Sequence, residues 1–390
     1  MRLTKQLSKI SLILLAALGV GLFSFRLPNV VSGPEEIIKS QNIESDKKSE
    51  SMPIYGNWKT YTKKDGLPSD KIYCVRVDED RVWAGTSQGL ALLEDGEWKV
   101  FTEEDGLAHR GVLSIDVSPV TGDLWVGTMS GLNRLSGGKF DTYTQFNSGL
   151  ANDVIYSVIC DDKDVWIATG GGAGVLDTYT GKWRIYTDQN APMHEPWTYN
   201  VCAGGGKIFI AAWGGGVIEW DKSTQQFRDY TDPDGEMEID LFPDDGVVHD
   251  ITTAVSYDDD ILWVATYFGL SRYDGNHWKG YFDHDSGLAS NFINFVKADG
   301  PIAWLCTDDG LSSFNGETWV TYKNLGNDKS GNVIIDGNSE NARIQKATTS
   351  LCHNFTIGVD FKADEIWVAT SKGLSRGEVT DHLDIKTSKL

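Results

Sequence analysis

The sequence predicts an all-β fold: a seven-bladed β-propeller with four strands per blade. A phrase close to Trp-Val-Ala-Thr occurs seven times, and most neighbouring copies lie 41 to 43 residues apart. Short alternating segments and glycine turns fill the intervals between copies. A period near forty residues with several short strands is typical of propellers. The copies begin at Trp83, Trp125, Trp166, Phe209, Trp263, Trp304 and Trp367.

The first full repeat shows how each blade is built. Its four predicted strands are residues 71–77, 81–86, 89–93 and 97–102. Glycine or Asp-Gly turns separate the later strands, as β-hairpins require. We expect the repeated aromatic residue of strand two to pack between neighbouring blades, because large rings at a fixed period bury much apolar surface.

The two ends of the repeat region predict how the ring closes. The seventh repeat stops at Gly377 after three strands, whereas Trp58-Lys-Thr-Tyr-Thr matches the fourth-strand segment Trp98-Lys-Val-Phe-Thr. We therefore predict that residues 55–62 supply the outer strand of blade seven and remove a free edge. The propeller then spans residues 54–377, and residues 378–390 form a C-terminal tail.

The first 26 residues predict export. Arg2, Lys5 and Lys9 precede an uncharged, mostly apolar stretch at residues 10–25. This stretch is short for a membrane crossing but suits a signal peptide or a short N-terminal anchor, and we favour the uncleaved anchor. The propeller is then periplasmic or otherwise extracytoplasmic, either anchored at the inner membrane or secreted. Residues 27–53 form a polar linker.

The composition excludes some classes of partner and cofactor. The net charge is −21, from 56 acidic and 35 basic residues, so no nucleic-acid partner is expected. No C-x-x-C, G-x-S-x-G, H-E-x-x-H or phosphate-loop motif occurs, and no cofactor is expected. Cys306 replaces a small residue of the repeat and is predicted to be a core residue. Whether two of the other four cysteines form a disulfide stays an open question.

Two of the fourteen tryptophans remain once the repeat has accounted for the other twelve. Trp197 ends the loop before blade four, and Trp213 lies between strands two and three of that blade. Tyr267 and Phe268 occupy the equivalent turn of blade five. Both kinds of loop open on one face, so these rings predict a platform for a sugar or an aromatic ligand. A local hydrophobic plug is the equally weighted alternative.

Imidazoles and carboxylates recur in the loops that enter the first strands. They are His109, His194, His249 and His353, interleaved with Asp70, Asp153, Glu195 and Asp250. Such groups around an axis are able to bind a metal or to perform acid–base chemistry. They also cap turns and provide polar contacts for a ligand, which is the interpretation that we favour. Metal binding stays open.

Two insertions interrupt the repeat at residues 232–250 and 324–352. Excursions of this length usually cover or rim a binding site, and we expect the same here. The first is acidic enough to hold Ca²⁺, but it lacks the spacing of an EF-hand loop.

The phrases GLPSDKIYCV and VWAGTSQGLALLEDG resemble the two-component regulator propeller repeat family, and the match covers nearly all of residues 55–376. In that family the propeller commonly forms the periplasmic sensor of a hybrid histidine kinase and often recognises oligosaccharides. The resemblance implies an exported recognition propeller. Because only thirteen residues follow Gly377, we expect no kinase on this chain.

These features together predict a recognition module related to the sensor propellers of signal transduction. Its ligand is expected to be an oligosaccharide, another small molecule or a protein partner in the cell envelope. Contact with a membrane is expected only through the N-terminal anchor, if that is retained. The alternative is a propeller lyase or hydrolase that uses the histidines and carboxylates of the loops.

Overall fold

The computed structural model describes residues 51–232, 235, 246–326 and 330–384. The predicted targeting segment and most of the linker lie outside these residues, as does most of the acidic insertion before blade five. Within the described residues, no helix has the length and apolarity needed to cross a membrane.

The strands of the first three blades follow the repeat closely. Strand β1 (Ser51–Tyr61) comes first in the chain and belongs to the last blade. Blade one comprises β2 (Ile72–Asp78), β3 (Arg81–Thr86), β4 (Gly89–Glu94) and β5 (Glu97–Phe101). Blade two comprises β6 (Val112–Val117), β7 (Leu124–Thr128), β8 (Gly131–Ser136) and β9 (Lys139–Tyr143). Blade three comprises β10 (Ile155–Asp161), β11 (Asp164–Thr169), β12 (Gly172–Asp177) and β13 (Lys182–Tyr186).

The remaining four blades complete the ring. Blade four comprises β14 (Thr198–Gly204), β15 (Lys207–Ala212), β16 (Gly216–Asp221) and β17 (Gln226–Tyr230). Blade five comprises β18 (Thr252–Asp258), β19 (Ile261–Thr266), β20 (Gly269–Tyr273) and β21 (Trp278–Tyr281). Blade six comprises β22 (Ile293–Asp299), β23 (Ile302–Thr307), β24 (Gly310–Phe314), β25 (Trp319–Asn324), β26 (Gly331–Ile335) and β27 (Arg343–Ala347). Blade seven comprises β28 (Thr356–Lys362), β29 (Glu365–Thr370) and β30 (Gly373–Asp384), together with β1.

The first strands of the blades surround a common axis. Each first strand contacts the first strand of the next blade, and β28 of blade seven contacts β2 of blade one, which closes the circle. The predicted seven-bladed propeller is therefore confirmed. In blade one the second strand has the predicted limits, and each other strand begins or ends one residue away from its predicted limit.

The ring closes through the strand that precedes all the blades. Strand β1 pairs antiparallel with β30, from Ser51 opposite Asp384 to Tyr61 opposite Leu374, and the sheet order is β1-β30-β29-β28. The predicted closure by an N-terminal outer strand is thus confirmed. Both strands also run past positions 54 and 377, because the chain on each side continues the same ladder.

The second insertion does not cover the channel mouth, contrary to our expectation. It adds β26 and β27 to the outer edge of blade six, which becomes a six-stranded sheet. Val333 and Ile335 of this hairpin belong to the same buried cluster as Met52 and Ile54 of β1. The insertion therefore packs against the closing strand at the outside of the ring.

The repeated aromatic residues of strand two are the core of the fold. All seven are buried, with exposed fractions of 4% or less. They contact residues of the next blade, as where the Trp166 ring lies 5.3 Å from Trp220 of blade four, between ring centroids. The predicted interblade packing is confirmed. Cys306 is fully buried as predicted, and all five cysteines are free thiols.

Candidate ligand site at the channel mouth

A central cavity of about 810 Å³ lies between the first strands, and all seven blades contribute to its wall. Tyr156 and Tyr199 line it at the second position of β10 and β14, near the loops that enter these strands. Arg76, Asp116 and Asp360 line it at the fifth position of their strands. The cavity therefore has an aromatic mouth and a charged deeper end.

The structure brings the four predicted aromatic residues together. Trp213 lies 6.2 Å from Trp197 and 5.0 Å from Tyr267, and Tyr267 lies 6.3 Å from Phe268, all between ring centroids. We call the full set of touching rings the aromatic cluster. It comprises Tyr156, Trp197, Tyr199, Trp213, His249, Tyr267, Phe268 and Phe292.

The rings of the aromatic cluster form a wall with a corner. Tyr156 and Tyr199 stack at 4.7 Å with planes 12° apart, and Trp213 lies 5.1 Å from Tyr199. Trp213 and Tyr267 meet at 75°, so their faces point in different directions. Trp197 is 42% exposed, whereas the other rings are half-buried. Aromatic surface is thus open to solvent beside the central cavity.

The turn that carries Trp213 is held by its neighbours. The Trp213 amide donates to the Trp197 carbonyl at 2.8 Å, and the amides of Gly214 and Gly216 donate to the Asp250 carbonyl at 3.0 Å. Gly216 has a φ of 66°, and a Cβ there would collide with the Tyr230 carbonyl oxygen. The glycines therefore allow a turn that fixes Trp213 between the loops entering blades four and five.

The neighbouring turn is held in the same way. The Tyr267 amide donates to the Ile251 carbonyl at 3.1 Å, and the Phe268 ring packs on His249 at 4.3 Å between centroids. Burial raises the pKa of Tyr199, and Tyr156 and Tyr267 add to this effect. The Tyr199 phenol therefore stays neutral and supplies a ring face and a hydroxyl group.

Three of the four predicted histidines cap turns. The Nδ1 atoms of His109, His249 and His353 accept the backbone N–H two residues later, at 2.9, 3.0 and 3.0 Å. Asn152 and Ser290 make the same bond at the equivalent positions. The shared geometry explains why this position holds a side chain that accepts hydrogen bonds near its own backbone.

His194 and the predicted aspartates have other local partners. His194 is exposed, with Nε2 3.3 Å from Asp229. Asp70, Asp153 and Asp250 each accept a backbone N–H two residues after the fourth strand of the preceding blade, at 2.7 to 2.8 Å. None of the predicted histidines and aspartates belongs to the wall of the central cavity. Across the described residues, no three His, Cys, Asp or Glu side chains are grouped to hold a metal ion.

The structure also shows a line of alternating charges that the sequence analysis missed. Lys297 Nζ lies 2.5 Å from Asp360, Arg76 Nη1 lies 3.4 Å from Asp360, and Arg76 Nε lies 2.9 Å from Asp116. We call these four residues the charge chain. They occupy the fifth position of the first strands in blades six, seven, one and two. The sequence signal that could have revealed them is the charged residue at the same position of several predicted first strands.

Backbone groups complete the charge chain. Asp360 is 4% exposed and accepts the amide of Val77 at 2.7 Å, and Asp116 accepts the amide of Cys160 at the same distance. Burial raises the pKa of Asp116, and Arg76 opposes this effect.

The Cys74 thiol also lines the cavity. Burial raises its pKa to about 12, so the thiol is protonated and unreactive near neutral pH.

Comparison with known proteins supports the fold. Neither a protein-family model nor a curated protein matches the sequence. Two similar structures are extracellular domains of proteins described as hybrid two-component systems from B. thetaiotaomicron. They share 17% and 15% identity, with TM-scores of 0.63 and 0.61 over 83% of this chain. The chain spans only 42% and 43% of their lengths.

A virginiamycin B lyase from Staphylococcus aureus also has this fold. It shares 13% identity, with a TM-score of 0.57 over 83% of this chain and 98% of the lyase. At such low identities these likenesses show the fold alone. The predicted resemblance to two-component regulator propellers is confirmed at that level.

Proposed function

We propose that this chain is an exported recognition module that binds a small organic ligand at the aromatic cluster. The observation that carries this proposal is the contiguous set of rings at the mouth of the central cavity, with Trp197 42% exposed. Flat ring faces beside a concave space suit sugars and other ligands with extended apolar faces.

The aromatic cluster exceeds what packing of the ring requires. The strand-two aromatic residues already fill the interblade space, and each is buried. Trp197 and Trp213 instead lie in loops outside that series. Loops held on a rigid scaffold are the usual place for binding residues. The resemblance to sensor propellers favours an oligosaccharide among the ligand classes.

An exported location fits the same proposal. The N-terminal stretch predicts export, and the two-component structures with this fold are extracellular domains. The lyase or hydrolase alternative has weaker support, because His109, His249 and His353 each use Nδ1 to cap a turn. A single capping bond leaves less freedom for the proton transfers that a catalytic histidine performs.

Replacing Trp213 by Ala tests the proposal. With the full-length protein on an array of neutral and charged oligosaccharides, we expect binding that this change weakens at least about tenfold, since stacking surface is lost. The matched control is Trp166→Ala, which should instead destabilise the fold by about 3–5 kcal/mol in urea denaturation.

Two results would count against ligand binding at this site. If Trp213→Ala destabilises the protein as much as Trp166→Ala, the aromatic cluster is a hydrophobic plug. If the array shows binding that Trp213→Ala leaves unchanged, the ligand binds elsewhere on the propeller.

A further inference from the structure

The loops around the aromatic cluster have a one-sided charge. The described loops and turns at the mouth of blades three to five are residues 144–154, 170–171, 187–197, 213–215, 231–232, 235, 246–251 and 267–268. They contain no Lys or Arg, although the chain has 35 such residues. Their described acidic residues are Asp153, Asp188, Glu195, Asp232 and Asp250.

The corresponding loops of blades one, two and seven include cations. Lys63 and Lys64 lie in the loop before blade one, Arg110 in the loop before blade two, and Lys372 in a turn of blade seven. The loop before blade six (residues 282–292) and its turn (residues 308–309) lack Lys and Arg as well. The absence of cations therefore extends over blades three to six, which together hold the aromatic cluster. A field of one sign beside a cavity raises the local concentration of ligands of the opposite sign.

Two acidic residues contact the turn that carries Trp213. The Glu195 Cγ atom is 3.8 Å from the position that a Cβ on Gly214 would take. Asp250 accepts the amides of Gly214 and Gly216 through its backbone carbonyl, while its carboxylate accepts the Asp232 amide at 2.8 Å. Neither side chain has an ion pair with a described Lys, Arg or His. Negative charge without a nearby counter-ion thus borders the Trp213 face.

Aromatic faces and unpaired carboxylates together favour a cation. The negative face of a Trp or Tyr ring attracts ammonium groups, by about 0.5–2 kcal/mol according to exposure. The corner between Trp213 and Tyr267 offers two such surfaces at 75°. An anionic ligand would meet repulsion from Glu195 and Asp250, and a neutral sugar would gain nothing from them.

We infer that the ligand of this site carries a positively charged amino or alkylammonium group, which lies against the aromatic cluster on the side of Trp213. Glu195 and Asp250 balance its charge. This inference rests on the proposed function, because it names the chemical class of the ligand for the same site. Amino sugars and quaternary ammonium compounds both provide this chemistry.

Matched pairs of probes test the inference with the full-length protein. The first pair is choline and its neutral isostere 3,3-dimethylbutanol, and the second is glucosamine oligomers and their neutral N-acetylated forms. Titration calorimetry should show at least one cationic member binding about tenfold more tightly than its neutral partner. The two pairs distinguish an alkylammonium ligand from an amino sugar.

Two substitutions tie the preference to this site. Trp213→Ala and Glu195→Gln should each weaken binding of the preferred cation about tenfold. Glu104→Gln is the matched control, because Glu104 is an exposed carboxylate in the loop before blade two. That variant should bind like the unmodified protein.

The outcomes separate this inference from the proposed function. If neutral members bind as tightly as cationic ones and Trp213→Ala weakens both, the cation preference is overturned while ligand binding at the aromatic cluster stands. The same holds if only neutral glycans on the array bind in a Trp213-dependent way. If no glycan and no probe binding depends on Trp213, both proposals fail.

Discussion

Two halves of the ring use the same repeat in different ways. In blades three, four and five, the fifth position of the first strand holds Ile159, Cys202 and Ser256, and the mouth above them carries the aromatic cluster. In blades six, seven, one and two, that position holds the charge chain. The same position of the repeat therefore carries uncharged residues on one side of the cavity and ion-paired residues on the other.

The charge chain lies where the ring closes, at the junction of the last and first blades, which we call the closing seam. The charge chain crosses from blade six through blade seven to blades one and two, where the last blade must be joined to the first. The aromatic cluster lies in blades three to six, so the two sets of residues share only blade six. Ring closure and the proposed ligand binding therefore depend on largely different residues, and substitutions should affect them independently.

Asp360→Asn should have the largest effect on the charged half. Asp360 is 4% exposed and pairs with both Lys297 and Arg76, so the substitution leaves Lys297 without its partner and Arg76 with Asp116 alone. Both cations are partly exposed, so we expect the cost of a charged hydrogen bond, about 1.5–3 kcal/mol. Urea denaturation measures this cost, and ligand binding by the folded variant should be unchanged.

The control for Asp360→Asn lies at the same position of blade five. Ser256→Ala removes one neutral hydrogen bond, from the Ala298 amide at 2.9 Å, and should cost about 1 kcal/mol. If the two variants lose equal stability, the charge chain does not hold the seam.

Asp116→Asn should change how stability depends on pH. Burial raises the pKa of Asp116 above its ordinary 3.8, so the folded protein holds this proton more tightly than the unfolded chain does. The stability gained from this proton is present at low pH and lost as the pH rises through the folded pKa. The Asp116→Asn variant binds no such proton, so its stability does not fall in this way.

The unfolding free energy of the unmodified protein minus that of Asp116→Asn should therefore fall as the pH rises from about 4 toward neutral. A difference that rises over this range would show that attraction by Arg76 outweighs burial at this carboxyl group.

His353 should give the smallest effect. Burial and the Lys372 charge lower the pKa of His353, whose neutral ring accepts the Phe355 amide. A base with a lowered pKa contributes stability above its unfolded pKa, and this is lost as the pH falls through the folded value. His353→Asn, which copies Asn152 of blade three, should keep the cap and remove this loss. His353→Ala should lose under about 1 kcal/mol at every pH.

Thermal unfolding of the two His353 variants between about pH 7 and pH 5 provides the measurement, since histidine titrates in this range. Equal pH dependence in His353→Asn and the unmodified protein would mean that another group is responsible.

The features that the repeat determines locally, such as the strand limits, were predicted from the sequence. Strand limits in blade one came within a residue, because alternation and glycine turns mark them locally. Trp197 and Trp213 were found because they stand outside the repeat, and Tyr267 and Phe268 because they occupy the equivalent turn of blade five. Tyr156 and Tyr199 were missed, since they occupy ordinary strand positions and gain their role only from neighbours in other blades.

Features that depend on contacts across the ring were not predictable in this way. The hairpin β26–β27 matches no repeat, and its place at the edge of blade six depends on packing against Met52 and Ile54. The charge chain likewise joins residues from four blades. A comparison of matching positions across all repeats would have shown the charged residues, but not which of them pair.

The pairing of β1 with β30 also sets the order of events when the chain folds. Strand β1 is synthesised before all the other described strands, and its partner is synthesised last. Blades one to six can form from local hairpins while Met52 and Trp58 still lack their buried environment. Contacts between the ends of a chain form slowly, because a long loop must close first. Folding should therefore pause at an open ring with apolar surface exposed, which is the state that a chaperone or an aggregate would capture.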